Sequence, residues 1–346
     1  MASLNEVVTL SYSDSDMEIS IIIPVFNRPS EVRSLLESLC QQTDTAFETV
    51  VVEDGSSCTC VNEVEAYRDK LDIKYVYKEN SGPGLSRNEG CRNARGNYFI
   101  FLDSDCILPP QYISVVRQNL STNFADAFGG PDEARDDFTP LQRAINYSMT
   151  SFFTTGGIRG GSEKLGKFHP RSFNMGFSRR VFDETGGFST MRFGEDIDMS
   201  VRITDKGFRT QLIKEAYVYH RRRTNLRRFF KQVFNSGIAR INLYKRHRGS
   251  LKIVHTAPAV FTAGIALILI LSAVVTPYPL LLLLFHAAFI LLDASVRNRS
   301  LYIGLLAVVT SYVQLVGYGT GFFHGAFRRL VLKKSEFAAF EKSFYK

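Results

Sequence analysis

The sequence predicts an α/β protein with a mostly parallel sheet and flanking helices, followed by membrane helices. Three features lead to this prediction. Strand and helix patterns alternate between residues 19 and 105. Long uncharged stretches follow residue 256. The charge also changes sign along the chain, because residues 1–213 carry 22 Lys and Arg against 30 Asp and Glu, whereas residues 214–252 carry 12 against 1.

The first strand pattern starts at Ile19 with the continuous apolar run ISIIIPVF, which is typical of a strand covered on both faces. Apolar residues at helical spacing follow over residues 30–42, with Ser30 as a candidate N-cap. The same order recurs with the strand patterns FETVVVED and IKYVYKE, and a fourth, NYFIFLDSD, ends the series. This alternation favours a parallel sheet, which binds ligands at the carboxyl ends of its strands.

Polar residues follow all four predicted strands. They are Asn27 and Arg28, then Glu53 and Asp54, then Asn80, and finally Asp103 with Asp105. A single carboxylate in such a place is usually a turn or cap residue, but four polar strand ends on one rim predict a ligand site. Asp103 and Asp105 are one residue apart, and such carboxylates bind Mg²⁺ or Mn²⁺ together with substrate phosphates. An ordinary acidic turn is the alternative interpretation of this pair.

Five motifs lie between about Ile19 and His220, namely PVFNR at 24–28, EDGSS at 53–57, NSGPGLSRN at 80–88, DSD at 103–105 and GED at 194–196. In their order and rough spacing the sequence resembles family 2 glycosyltransferases. The resemblance implies the GT-A fold, a nucleotide-diphospho-sugar transferase architecture. It also implies an inverting, metal-dependent transfer from a nucleotide-diphosphate sugar, with a UDP-sugar as the expected donor.

The resemblance implies roles for individual residues. Nucleotide contacts are expected at Pro24, Asn27, Arg28, Glu53, Asp54 and Arg87. Asp103 is expected near the ribose or donor sugar, and Asp105 is expected to bind the Mg²⁺ or Mn²⁺ ion, with Asp103 as a second candidate ligand.

The motif Gly194-Glu195-Asp196 is expected to supply the catalytic groups. Inversion in one step needs a base that takes the proton of the acceptor hydroxyl opposite the departing diphosphate. The resemblance assigns that base to Asp196 and assigns to Glu195 the binding or orientation of the acceptor. Alternatively, both are helix N-terminal carboxylates stabilised by the helix dipole, and the two interpretations are compatible.

Two further segments have less specific patterns. The stretch Ser172–Gly176 is consistent with a loop on the donor-sugar side, although core packing is an equal alternative for Phe173. His220 and the three arginines after it suit a diphosphate or an anionic lipid headgroup, with a solvated basic face as the alternative.

Three apolar segments predict membrane helices, at Ala257–Val275, Pro279–Leu292 and Leu301–Phe323. Cationic residues precede the first segment and the loop after it has none, which places the acidic body in the cytoplasm, with no signal peptide expected. The predicted location is therefore the inner (cytoplasmic) membrane, as a multi-pass protein. Three crossings would export Arg328 and Arg329, so two or three crossings remain open, and buried core helices are a third alternative.

Residues 226–243 predict an amphipathic helix, on anionic lipid headgroups or packed on the domain. A helix on the lipid headgroups would hold the active site near a lipid-linked or glycolipid acceptor in cell-envelope polysaccharide synthesis.

The chain has no tryptophan, and Asn225–Phe229 replaces the Gln-x-x-Arg-Trp motif of processive synthases, which favours single transfer. A nucleotidyl- or phosphotransferase, or a processive synthase, remains an alternative. Nucleic acid is not an expected partner, because the body is acidic.

The predicted domain organisation follows from these patterns. It comprises an N-terminal tail (1–18), the catalytic domain (19–224), a basic amphipathic juxtamembrane segment (225–252), the transmembrane region (253–325) and a basic tail (326–346).

Overall fold

The structure is a computed structural model that describes residues 17–133, 138–155, 169–220 and 225–336. The chain divides into two compact units. Within the described ranges, the first unit contains residues 17–132, 169–188 and 202–218, and the second contains residues 133, 138–155, 189–201, 219–220 and 225–336. Residues 1–16 of the predicted N-terminal tail (1–18), residues 337–346 of the predicted C-terminal tail (326–346) and the basic residues Arg221, Arg222 and Arg223 lie outside the described residues.

Ten strands are present in the described ranges. They are β1 (Ile19–Val25), β2 (Phe47–Asp54), β3 (Ile73–Lys78), β4 (Tyr98–Leu102), β5 (Cys106–Ile107), β6 (Ala127–Gly129), β7 (Asp132–Glu133), β8 (Asn174–Ser178), β9 (Thr210–Leu212) and β10 (Val218–His220). Seven of them form the main sheet of the first unit in the order β3-β2-β1-β4-β8-β6-β9. The strands β1, β2, β3 and β4 pair in parallel, and β8 runs antiparallel to β4 and β6.

The α-helices of the first unit are α1 (Pro29–Cys40), α2 (Val61–Glu65), α3 (Pro83–Asn93), α4 (Tyr112–Thr122) and α7 (Arg179–Thr185). The second unit contains α5 (Pro140–Thr150), α6 (Phe152–Thr155), the start of α8 (Glu195–Asp205), α9 (Leu226–Arg246), α10 (Ala257–Val274), α11 (Leu280–Asn298) and α12 (Leu301–Ala326). The predicted α/β class and mostly parallel sheet are confirmed.

The core of the first unit explains why the apolar runs form strands. Ile21, Ile22 and Ile23 of β1 are all fully buried, as a strand covered on both faces requires. Of the segment 172–176, the loop interpretation is wrong for residues 174–176, because Asn174 begins β8, whereas Phe173 packs against the core, as the alternative interpretation had it. The buried amide oxygen of Asn174 accepts a hydrogen bond from the Tyr112 hydroxyl at 2.6 Å, and its amide nitrogen donates to the carbonyl oxygen of Ala216 at 2.8 Å. The polar residue in this apolar stretch is thus satisfied inside the fold.

Among the described residues of the second unit, three helices are long and apolar enough to cross a membrane, namely α10, α11 and α12 with its continuation to Val331. Their positions confirm the three predicted apolar segments, although α11 continues past the predicted Leu292 to Asn298. The exposed side chains of α10 and α11 include many large apolar residues. A surface of this kind indicates membrane association.

Candidate active site

Asp54, at the end of β2, organises the loop that follows β3. Its carboxylate is buried and pairs with Lys78 Nζ at 2.5 Å. It also accepts hydrogen bonds from the backbone N–H groups of Ser81 at 2.9 Å and Gly82 at 2.8 Å, and from Asn80 Nδ2 at 3.1 Å. These donors fill the acceptor positions of a carboxylate. The sequence-predicted residues Asp54 and Asn80 therefore meet at one strand end.

Glu53 and Asn27 hold the loop after β2. Glu53 is fully buried, and its carboxylate accepts hydrogen bonds from the Ser56 hydroxyl and from the Cys60 N–H at 2.8 Å. The side-chain oxygen of Asn27 accepts hydrogen bonds from the backbone N–H groups of Ser57 and Cys58, both at 2.9 Å. Both residues thus shape this rim, and Pro24 lies beside it, in register with Val52 of β2.

Asp103 follows β4 and pairs with an arginine from α3. The Asp103 carboxylate accepts a hydrogen bond from Arg87 Nη2 at 2.7 Å, and one third of the Asp103 side chain remains exposed. Arg87 itself is buried, with its guanidinium over the Phe188 ring at 5.4 Å. The helix that carries Arg87 starts after Gly82, whose φ of 95° lies in the region that favours glycine. Arg87 is therefore fixed in position, while Asp103 presents free carboxylate surface.

Asp105, two residues further on, pairs with the arginine at the start of α1. Arg28 Nη1 lies 2.5 Å from Asp105 Oδ2, and 12% of the Asp105 side chain is exposed. Burial alone would lower the pKa of Arg28, but the charge and hydrogen bond of Asp105, with the charges of Asp103 and Glu31, outweigh it and raise that pKa. Arg28 therefore stays charged and holds Asp105 in place.

The two carboxylates fit a divalent ion that is shared with a substrate. Within the described residues, no group of three or more His, Cys, Asp or Glu side chains could hold a metal ion. Mg²⁺ needs fewer protein ligands, since it usually takes one or two carboxylates and completes its shell with waters and substrate phosphates. Asp103 and Asp105 supply hard oxygen donors of this number and type, so the donor set fits Mg²⁺ or Mn²⁺.

Glu195 and Asp196 open α8 and belong to the second unit, whereas the other predicted site residues belong to the first. Both are buried, and Asp196 Oδ1 accepts a hydrogen bond from the Ile197 N–H at 2.8 Å. Gly194 precedes them with a φ of 86°, and a Cβ added there would lie 3.3 Å from Leu243 Cδ1 and 3.4 Å from Ala239 Cβ of α9. The N-terminus of a helix stabilises carboxylates in this position.

Sequence reasoning missed several residues that support these groups. Lys78, the ion-pair partner of Asp54, resembles an ordinary solvated lysine in the sequence. Asn88 binds the backbone of Phe188 through both its amide atoms, at 2.8 and 2.7 Å. His247 Nε2 lies 2.9 Å from Asp198 Oδ1 in the second unit. No local signal identifies these partners, because each contact joins residues far apart in sequence.

The first unit combines a mostly parallel sheet with carboxylates and arginines at its strand ends, where open α/β sheets bind nucleotides and other ligands. Comparison with known sequences shows which enzymes of this kind the chain is similar to. The model of the glycosyl transferase family 2 matches residues 20–186. An uncharacterized glycosyltransferase of Haemophilus influenzae is 30% identical over 210 residues, which are 58% of this chain and 67% of the relative.

Other relatives match over shorter regions. The poly(ribitol-phosphate) beta-N-acetylglucosaminyltransferase TarS of Staphylococcus aureus is 40% identical over 93 residues, or 26% of this chain and 16% of that protein. An uncharacterized glycosyltransferase of Rickettsia felis is 34% identical over 108 residues, or 31% of this chain and 18% of that protein. The chain thus spans less than a fifth of the length of these two relatives.

A solved structure supports the same fold. A mannosyltransferase from Pyrobaculum calidifontis, in complex with GDP-Man and Mn²⁺, superposes with a TM-score of 0.65 over 92% of this chain and 89% of its own, at 16% sequence identity. The chain belongs to glycosyl transferase family 2, has the GT-A fold and is a glycosyltransferase.

Proposed function

We propose that this glycosyltransferase takes its sugar from a nucleotide-diphosphate donor and uses Mg²⁺ or Mn²⁺. The observation that carries the proposal is the pair of carboxylates after β4, Asp103 and Asp105, each fixed by an arginine. The mannosyltransferase of similar fold was solved with GDP-Man and Mn²⁺, which is in line with this proposal. A UDP-sugar is the expected donor, on the resemblance of the motifs.

The residues of the first unit bind and orient the donor. The strand-end loops held by Asn27, Glu53 and Asp54 supply the nucleotide contacts, with Pro24 beside them. Asp105, with Asp103, would hold the ion, which when bound neutralises charge on the departing diphosphate. Arg28 and Arg87 keep these carboxylates oriented before the donor arrives, so little reorganisation is needed on binding.

Asp196 is the proposed base, and the transfer is proposed to invert the anomeric carbon in one step. The acceptor hydroxyl gives its proton to the Asp196 carboxylate while its oxygen forms the new bond to the anomeric carbon. The bond from that carbon to the diphosphate oxygen breaks, and its electron pair leaves with the nucleoside diphosphate. Glu195 is proposed to orient the acceptor. The support is the burial of both carboxylates at a helix N-terminus, where a charged base is stabilised.

The proposed acceptor is a lipid-linked glycan or glycolipid of the cell envelope. Its support is the order of the chain, in which the basic helix α9 directly precedes the apolar helix α10. Exposed cations of α9 would attract anionic lipids, and the positive-inside bias would place the catalytic body on the cytoplasmic face of the inner membrane. Single transfer is proposed because the chain lacks tryptophan, a residue of the processive acceptor motif.

The experiment incubates the full chain in membranes with a panel of nucleotide sugars, with and without Mn²⁺. Release of the nucleoside diphosphate that depends on Mn²⁺ is the expected result. The same membranes are also incubated with nucleoside triphosphates and sugar 1-phosphates, because a nucleotidyltransferase, the second class that the same carboxylates suit, would release pyrophosphate from those substrates. Analysis of the product gives the anomeric configuration and the number of sugars added, so that a retained configuration or a long polymer would overturn the inverting or single-transfer proposal.

A further inference from the structure

The first turn of α8 carries Glu195 and Asp196, the two carboxylates that are proposed to act on the acceptor. The N–H group of Asp198 donates to the carbonyl oxygen of Gly194 at 2.9 Å and closes this turn. Gly194 and Asp198 are therefore its two ends. Contacts that hold these two residues also fix the position of the carboxylates between them.

The Gly194 end of the turn packs on the last turns of α9. A Cβ added to Gly194 would lie 3.3 Å from Leu243 Cδ1 and 3.4 Å from Ala239 Cβ. Leu243 is fully buried and Ala239 is 5% exposed, so neither side chain can move aside without repacking its surroundings. The φ of Gly194, 86°, is also one that other residues rarely adopt. This end of the turn is therefore fixed by close packing.

The Asp198 end of the turn is held by the residue that follows α9. His247 Nε2 lies 2.9 Å from Asp198 Oδ1, and only 3% of the Asp198 side chain and 17% of the His247 side chain are exposed. An ionised carboxylate only accepts hydrogen bonds, so we assign the imidazole hydrogen to Nε2, which donates to Asp198. His247 is held in turn, because its N–H group donates to the carbonyl oxygen of Leu243 at 2.7 Å. One helix end therefore holds both ends of the turn.

The contact with His247 also explains how Asp198 can be buried. The first turn of α8 contains three acidic residues, Glu195, Asp196 and Asp198. Like charges in one turn repel one another, and the repulsion is stronger away from water. The helix N-terminus offsets part of it, and the imidazole of His247 gives Asp198 a partner outside the helix. A third buried carboxylate beside the proposed base is therefore accommodated by a residue from α9's end.

Helix α9 is itself fixed, so it can serve as a support. A Cβ added to Gly321 of α12 would lie 2.0 Å from the carbonyl oxygen of Phe234 in α9, which means that the two backbones are in direct contact. At the end of α9, Arg246 Nη2 pairs with Glu336 Oε2 at 3.0 Å. The residue that binds Asp198 thus follows a helix that is held along its length and at its last residue.

We infer that His247 is a positioning residue for the proposed base Asp196, which it holds through Asp198 at the end of the turn 194–198. Because Asp196 is the base only in the proposed function, this role rests on that function. A misplacement of about 1 Å can lower a rate by about 10²-fold. The residues proposed to bind the donor belong to the first unit, so His247 is expected to affect turnover and not donor affinity.

Two substitutions of His247 in the full chain test this role. His247→Leu removes the contact with Asp198, whereas His247→Gln keeps an N–H donor near the place of Nε2. We expect His247→Leu to lower turnover about 10- to 100-fold with an unchanged affinity for UDP and Mn²⁺, and His247→Gln to recover most of that loss. Arg248→Leu, which removes the exposed cation of the next residue, is the control and should turn over like wild type. Wild-type turnover of His247→Leu, or a loss of UDP affinity as large as the loss of turnover, overturns the inference.

A double variant separates a positioning role from a general loss of structure. If His247 acts through Asp196, His247→Leu combined with Asp196→Asn turns over as slowly as Asp196→Asn alone, because the group to be positioned is already lost. Losses that multiply overturn the positioning role and leave Asp196 as the base. A wild-type rate for Asp196→Asn instead overturns the proposed base and the positioning role together.

Amide hydrogen exchange tests the support of the turn without any glycosyl transfer. Mass spectrometry of the full chain follows the peptide that covers residues 194–198 and, as an internal reference, the peptide that covers β2. We expect the first peptide to exchange faster in His247→Leu than in wild type, and at the wild-type rate in His247→Gln and Arg248→Leu. The β2 peptide should exchange equally in all four proteins. Equal exchange of residues 194–198 in wild type and His247→Leu overturns the inference, even where no nucleotide sugar supports transfer.

Discussion

The sheet unit and the α9–α12 region differ in the residues that form their closest contacts. In the sheet, branched apolar residues such as Ile21 and Val51 are fully buried. Between α9 and α12, glycines such as Gly321 form the contact, while Leu269 and Val274 of α10 are more than half exposed. Water drives apolar side chains inward, whereas lipid does not. The exposed apolar side chains of α10 thus indicate lipid around that helix, in contrast to the sheet unit.

The two regions also differ in whether their charged side chains are paired or exposed. In the sheet unit, the carboxylates at the strand ends are fixed by Arg28, Arg87 and Lys78. In α9, cationic side chains such as Lys231 are exposed. Fixed charges suit a binding site, because they are oriented before the ligand arrives, and exposed cations suit an anionic surface. The predictions below test these assignments.

The largest effect is expected at Asp105. Asp105→Asn removes the proposed metal-binding charge while keeping the size of the side chain, so we expect metal-dependent release of nucleoside diphosphate to fall by at least about 10²-fold. Initial rates over a range of Mn²⁺ concentrations measure this effect. Asp126→Asn, on the same unit but outside the strand-end rim, is the control. A wild-type rate for Asp105→Asn would contradict the assignment of Asp105 to the metal site.

Asp196→Asn is expected to separate binding from catalysis. Loss of a general base lowers the rate by about 10²- to 10⁴-fold, and we expect the affinity for the donor to stay unchanged because Asp196 is assigned to the acceptor. Single-turnover rates and donor titrations measure the two quantities separately. Loss of donor affinity with an unchanged rate would contradict the assignment.

Asp54→Ala tests how much the fixed charges of the sheet unit contribute to stability. It leaves Lys78 and the N–H groups of Ser81 and Gly82 without their acceptor, and breaking a buried pair in this way costs about 3–5 kcal/mol. The control is Asp72→Ala, whose partner Arg95 is 68% exposed, so that the loss is at most about 1 kcal/mol. Denaturant unfolding of both variants measures the difference. Equal losses of unfolding free energy in the two variants would show that burial of the Asp54–Lys78 pair adds nothing to stability.

A smaller effect is expected from Glu48 in acid. Burial raises the pKa of Glu48, but hydrogen bonds from Ser20 and from the N–H groups of Arg95 and Gly96 outweigh it, so that the pKa is lowered in the folded protein. Its contribution to stability is therefore present above the ordinary glutamate pKa of about 4.3 and is lost as the pH falls through the lowered value. Glu48→Gln should flatten the fall in melting temperature below about pH 4, whereas Glu65→Gln at an exposed position should not.

Local patterns were sufficient to predict the sheet and its strand ends. The run from Ile19 and the strand patterns before Asp54 and Asp103 are visible in the sequence, because burial on both faces needs continuous apolar residues. The strand at Asn174 was missed, since its amide is satisfied by Tyr112, 62 residues away. The end of α11 was also missed, because Asp293 interrupts the apolar run and its partner Tyr147 lies 146 residues earlier. Contacts distant in sequence leave no periodic signal.

Electron paramagnetic resonance of Mn²⁺ gives the most direct test of the proposed role of the strand-end carboxylates. Removing a group that only hydrogen-bonds to a metal ligand already lowers metal affinity about 10- to 100-fold. We therefore expect Mn²⁺ to bind the wild-type chain in the presence of a nucleoside diphosphate, to bind at least about tenfold more weakly to Asp105→Asn, and to bind Asp196→Asn as tightly as wild type. Equal Mn²⁺ affinity in wild type and Asp105→Asn would contradict the proposal.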